Sequence, residues 1–268
     1  MRRLSRLLSA FALISALWLP GAPALSGGAL DALIRSSPVQ SGIATPQPAV
    51  NVVVQGATAG ATYTATFGGA PVSGHWLIAY GYESHGSGAG PPAVAAGWTS
   101  FNTVSCSTAG GPSDATLAYK QAGGGESATQ TPFTLTGSPF YPNAYGMAML
   151  EVNSPEATWA GLLQTSNFNC PVASGNVSTT NTATTSKPNT LGVGFSGWYG
   201  GVGTFPIVQD GSWATLAISS AGSGSGANSQ IVGTQPFVST STAVTLTSHL
   251  SPDQPFYGMV SALVLLNP

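Results

Sequence analysis

Charge is what this sequence has least of. Of 268 residues only 14 are Lys, Arg, Asp or Glu, 5% of the chain, where about 25% is usual. Arg2, Arg3 and Arg6 account for half of the basic residues. From residue 25 onward Arg35, Lys120 and Lys187 stand against all eight acidic residues, so the body carries about −5 by formal count. No basic surface remains to neutralise phosphates, which excludes nucleic acid as a partner. With 43% hydrophobic residues, the shortage of charge does not signal disorder, which needs low hydrophobicity and high net charge.

Residues that carry chemistry are equally scarce. Two cysteines are too few for a zinc site, and no Asp-x-Asp ladder offers calcium its oxygens. His75, Glu83 and His85 fall on one run, but the simpler expectation is a Glu and a His at a strand end. No metal and no cofactor are expected. No Gly-x-Ser-x-Gly elbow marks a serine nucleophile, and no local context selects one of the many serines for a convergent triad. Glu151 and Glu156, the nearest pair of carboxylates late in the first repeat, flank Pro155 and are expected to serve solubility rather than glycoside cleavage. Gly192-x-Gly194-x-x-Gly197 matches a dinucleotide fingerprint in letters only. Trp198-Tyr199-Gly200-Gly201 follows it, which reads as a turn rather than the helix N-terminus the fingerprint requires. No catalytic residue is expected, and the chain reads as a non-enzyme.

Cys106 and Cys170 leave two alternatives open. In an oxidising location they would close a loop of about 64 residues, worth about 3–4 kcal/mol by chain entropy. On an intracellular assembly route they would stay as buried thiols.

The N-terminus joins a basic head to the apolar run Leu7–Leu19 and then Ala22-Pro23-Ala24. Thirteen residues are fewer than the roughly 20 that span a bilayer. Two readings stand side by side. One is a secretory signal cleaved near Ala24. The other is an apolar helical arm that anchors the chain to neighbours in an assembly. A short helix fits Ala29–Arg35, and the remaining Pro-rich stretch to residue 49 reads as linker.

Beyond residue 50, short runs rich in Val, Thr, Ile, Tyr and Phe alternate with Gly, Ser, Pro and Asn clusters. Val50–Val54, Thr62–Phe67, Trp76–Tyr82, Ala115–Gln121 and Pro132–Thr136 have strand lengths and turn-like flanks. The expected fold class is all-β, a jelly-roll-like β-sandwich. A duplication is visible inside it. Leu77 aligns with Leu191, Trp98 with Trp213, Thr134-Leu135-Thr136 with Thr245-Leu246-Thr247, and Tyr145-Gly146-Met147 with Tyr257-Gly258-Met259, at offsets of 111 to 115. The expected organisation is an arm and linker over 1–49 and a sandwich over 50–268. Its first half spans 50–173 and its second 174–268, with the Thr/Ser/Asn-rich stretch Ser174–Asn189 as separator. One sandwich closed by two halves is preferred over two small ones, because a single large core buries a greater share of its surface.

In the first copy the strand Leu77–Tyr82 leads through Pro91-Pro92 to Gly97-Trp98-Thr99. Then come Ala118-Tyr119-Lys120-Gln121-Ala122, Glu126, the strand Phe133–Thr136 and the apolar strand Met147–Val152. This order resembles the β-sandwich modules of tailed-phage and gene-transfer-agent virions, used as head fibres, spikes, decoration proteins and tail-fibre modules. The resemblance covers roughly residues 50–268 and is closer in the first copy; Ser229-Gln230-Ile231-Val232 departs from it in the second. It implies a non-enzymatic virion surface protein that assembles as a homo-oligomer, a trimer being one fit, that contacts other virion proteins through its arm, and that adheres to host glycans. The alternatives are a secreted or periplasmic carbohydrate-binding sandwich and a secreted hydrolase. Aromatics unmatched between the copies supply the candidate binding surface: Trp198 and Tyr199, with Trp159 and His85 beside them.

Overall fold

In the computed structural model the described residues are 52–85, 89–108, 111–139, 144–170, 178–200, 206–221, 227–251 and 258–268. They form seventeen strands and one four-residue helix, and all strand pairs are antiparallel. The expected arm and linker lie outside the described residues.

The first copy supplies β1 (Val53–Gly60), β2 (Ala65–Thr66), β3 (Trp76–Ser84), β4 (Ala93–Val94), β5 (Thr99–Thr108), β6 (Gly111–Gln121), β7 (Thr129–Gln130), β8 (Phe133–Thr134) and β9 (Tyr145–Asn153). The second supplies helix α1 (Trp159–Leu162), β10 (Leu163–Asn169), β11 (Ser178–Thr184), β12 (Thr190–Gly200), β13 (Ile207–Gln209), β14 (Ala214–Ala221), β15 (Ala227–Phe237), β16 (Ala243–Leu250) and β17 (Met259–Leu266). Two five-stranded sheets run β1-β9-β3-β6-β5 and β10-β17-β12-β15-β14. Each has a partner layer: the pairs β2-β7 and β4-β8 in the first copy, and the sheet β11-β16-β13 in the second.

The two strand orders are the same order, and the hydrogen-bond ladders repeat with them. Trp76 lies between Val152 and Gln121; Leu191, 115 positions on, lies between Leu266 and Pro236. Even the irregularities recur. The ladder skips Gln55 in β1 and Gln164 in β10, and it skips Phe101 in β5 and Leu216 in β14. Such bulges twist an exposed sheet edge and discourage edge-to-edge pairing. All four are on the outer strands of the large sheets, where no Lys, Arg or Pro does that work.

The large sheets pack face to face, and the largest core lies between the copies. Ile78, Tyr80, Leu117, Leu150, Val193, Phe195, Val232 and Val264 belong to it. The Tyr80 and Phe195 rings, which occupy equivalent ladder positions, stack with centroids 5.8 Å apart. Tyr80 donates to the Val260 carbonyl at 2.6 Å and Tyr82 to that of Gly258 at 2.8 Å. β1 lies against β14, and their counterparts β10 and β5 meet through Asn102 Nδ2, which donates to Ser166 Oγ at 3.1 Å. Reciprocal contacts of this kind define an approximate two-fold relation, as in an isologous dimer.

Smaller cores fill the outward faces of the large sheets. In the first copy Tyr63, Phe67, Leu77, Trp98, Phe133 and Met149 pack together. In the second the filling divides between a cluster around Trp198 and another around Trp213. Central strands are therefore buried on both faces, which explains why WLIAYGYES and MVSALVLL read as continuous rather than alternating apolar runs.

Each copy thus builds a large and a small layer of its own rather than lending half of one sandwich. The single large core expected of one sandwich is instead the seam between copies. The half boundary also moves. β10 precedes residue 173 yet is an outer strand of the second large sheet. Ser178–Thr184, inside the expected separator, is strand β11. It buries Thr179 and Asn181, whose side chains donate to Met259 Sδ and Ser261 Oγ. An inward face made of Thr and Asn gives no apolar period to read.

Candidate functional site

The duplication serves as an internal control. A residue that the fold itself requires should have a like counterpart in the other copy, whereas a group present in one copy alone calls for another reason. Among the described residues, two buried ionisable groupings are found in the first copy and have no buried counterpart in the second; they lie at opposite ends of its small core.

The first joins the ends of β3 and β6. Extended backbone places Glu83 and His85 on one face of the chain, two residues apart, and the ladder sets Asp114 opposite Glu83. His85 Nε2 and Asp114 Oδ2 are 2.6 Å apart, with both residues 1% exposed. The Tyr63 hydroxyl lies 3.2 Å from Glu83 Oε2 and 3.1 Å from the Tyr82 carbonyl oxygen. Burial raises the Glu83 carboxyl above its ordinary range, and burial with the nearby Glu83 raises the Tyr63 phenol. Glu83 Oε1 and Asp114 Oδ1 are buried without a hydrogen bond from any described residue. The Asp114 end opens on a recess of about 240 Å³ whose walls include His85, Ser105, Ser107 and Pro112. In the second copy the positions of Glu83, His85 and Asp114 are held by Trp198, Gly200 and Ser229. An indole fills the space that acids occupy in the first copy.

The second grouping joins β9 to the turn before β3. Glu151 Oε1 accepts from the Val72 N–H at 2.9 Å and lies 2.7 Å from His75 Nδ1. Glu151 is 6% exposed. Its counterpart is Leu265, and that of His75 is Thr190.

The expected binding surface is corrected by these placements. Trp198 and Tyr199 are each 1% exposed. They continue strand β12 rather than forming a turn, so alternation sends their rings to opposite faces: Trp198 into the outer core, Tyr199 into the central one. Trp159 is 8% exposed and stacks on Tyr119 at 4.3 Å between ring centroids. His85 is buried against Asp114 rather than displayed. None of the four offers an open face, and the structure does not bring them together. The glycines of the fingerprint-like run also lie within β12, where they admit neighbours. A Cβ at Gly192 would press on Phe237, one at Gly194 on Leu246, and one at Gly197 on Tyr82.

Of the two states left open for the cysteines, the structure has the disulfide. Cys106 and Cys170 are bonded with Cα atoms 6.0 Å apart. The bond ties β5 to the end of β10, and so one large sheet to the other. Glu156 stays apart from Glu151: its carbonyl accepts from Trp76 Nε1 at 3.1 Å, and its N–H donates to Ser154 Oγ. Among the described residues no three His, Cys, Asp or Glu side chains are grouped to hold a metal ion.

No family model, no curated protein and no solved structure matches this chain.

Proposed function

We propose that the chain is a non-enzymatic structural module displayed outside the cytoplasm, on the surface of a virion or similar particle. The observation that carries this reading is the Cys106–Cys170 bond across the seam between copies. Disulfides persist on virion surfaces and in extracellular or periplasmic space, and are rare in reducing cytosol. The strand order supports the shape such modules have. Counting β7 and β8 as one strand broken at Pro132, each copy runs 1-8-3-6-5 over 2-7-4. This order fits a jelly roll whose fifth strand has moved to the larger sheet. A body of nearly uncharged residues also suits close packing of identical chains, because little repulsion opposes it. The N-terminal segment would anchor or export the module, and an oligomer would multiply weak contacts into avidity.

The test is peptide mapping under non-reducing conditions on particles purified from producing cells. The expected result is the chain within the particles, retaining residues before Leu25, with Cys106 linked to Cys170. Recovery only as a free secreted protein beginning at Leu25 would move the reading to the secreted or periplasmic alternative.

One observation favours a second reading, a secreted hydrolase: the His85–Asp114 pair beside the exposed hydroxyls of Ser105 and Ser107. A fluorophosphonate probe would label Ser105 or Ser107 in that case and lose the label in His85→Ala. An unlabelled chain discards it.

A further inference from the structure

The two copies treat one position in opposite ways. In the second copy the bulge residue Gln164 is tied down on both sides. Its Oε1 accepts from Thr190 Oγ1 at 3.2 Å, and its Nε2 donates to the Thr184 carbonyl at 3.3 Å. Opposite the bulge stands the apolar Leu265. In the first copy the same bulge carries Gln55, the place of Thr190 is taken by His75, and the place of Leu265 by Glu151. Here the space is open. A recess of about 270 Å³ is walled by Gln55, Gly56, Phe67, Gly68, Gly69 and Val72, with Glu151 at its floor.

The carboxylate is held for use. Oε1 is occupied by the Val72 N–H and His75. Oε2 takes no hydrogen bond from any described residue, although the residue is more than nine-tenths buried. Gly56 keeps its approach clear: a Cβ there would lie 3.6 Å from Oε2 and 3.3 Å from the Phe67 ring. Side chains added at Gly68 or Gly69 would project into empty space. Bulges often re-aim side chains beside binding sites, and an acceptor that borders a recess without a protein partner is free to take a ligand's donors.

From this arrangement we infer a binding site for one neutral sugar residue, in which Glu151 Oε2 accepts from a pair of ring hydroxyls, the Gln55 amide bonds a third, and Gly56, Gly68 and Gly69 leave room for the ring. A small cation fits less well, because one carboxylate with an oxygen already engaged by Val72 and His75 offers it few ligands. A recess slightly below the roughly 300–1,000 Å³ of drug-sized sites suits a single ring. The inference deepens the display reading by giving the module a ligand. It is tested on purified chain alone, so its failure would leave that reading standing, and absence from particles would leave this site standing.

The experiment titrates the full ¹⁵N-labelled chain with the methyl glycosides of galactose, glucose and mannose, and separately with methylammonium chloride. The expected result is a saturable shift of the Gln55, Gly56, Gly68 and Gly69 amides with at least one glycoside at millimolar concentration. Glu151→Gln should weaken it at least about tenfold, the loss expected for a hydrogen bond to a charged acceptor. Gly69→Trp should abolish it with the melting temperature unchanged, which covers the case in which Glu151→Gln folds poorly. The inference is overturned if no glycoside shifts these amides, if methylammonium shifts them and the sugars do not, or if Gly69→Trp binds as well as the wild type.

Discussion

Glu83 is a carboxyl whose charged form is disfavoured by burial. Burial raises its folded pKa above the unfolded value, so the folded state binds this proton more tightly. Its contribution to stability is then fully present below the ordinary carboxylate range and is lost as pH rises through the raised value. Glu83→Gln keeps the shape and removes the titration. Melting followed between acidic and neutral pH should show a smaller decline for the variant than for the wild type; parallel curves would disprove the assignment. Gly197 makes a second argument at the same scale. A Cβ there would come within 2.7 Å of Tyr82 Cβ, and this neighbour is not the movable end of a side chain. Gly197→Ala should cost about 1–3 kcal/mol as overpacking, read as a lower denaturant midpoint. Gly124→Ala, which meets nothing within 4 Å, should stay within about 0.5 kcal/mol.

At the scale of strands, the repeat makes paired predictions. Trp98 and Trp213 precede the equivalent strands β5 and β14 and are 8% and 7% exposed in their outer cores. Replacing either by Ala should cost about 3–5 kcal/mol, in similar measure. Leu135 and Leu246 should differ. Leu135 is 40% exposed and Leu246 is fully buried, so only Leu246→Ala should cost about 2–5 kcal/mol. These pairs also show how far the sequence could be read. The β class, several strands and the existence of a duplication were legible from strand lengths, turn residues and the Trp pair. Register was not. Leu77 shares its ladder position with Gly192, and Met147 with Ser261, so the Leu77–Leu191 and Met147–Met259 matches slip by one and by two residues. A slip of one exchanges the faces of a strand, and that error also concealed the site. Read one residue out of register, against Ser84, Trp198 looks like an added surface aromatic. Aligned with Glu83, it is the apolar replacement for a buried acid. Glu151 was visible as one of only eight acids, but its partners Val72 and His75 are nearly 80 residues away, and only the fold brings them together.

At the scale of the molecule, the central core couples the copies. Each large sheet needs the other to cover its inner face, so the chain should unfold in a single transition. The Cys106–Cys170 bond adds to this by closing a long loop. Replacing both cysteines by Ser should remove about 4 kcal/mol, the chain-entropy value for a 64-residue separation, and leave one transition at lower temperature in calorimetry. Two separated transitions would mean that the copies are independent domains.

The ring stack at the seam has a consequence for how such a molecule can arise. In a true homodimer, residues on the symmetry axis meet their own copies, so a protruding side chain meets another protrusion and a hollow meets a hollow. Two Tyr82 side chains could not share the space that Tyr82 and Gly197 share here. Joining the two halves in one chain lifts that constraint, because each half can then mutate alone. Knob and hole become available on the axis, and one half is free to carry acids in its outer core while the other fills the same positions with Trp198 and Leu265.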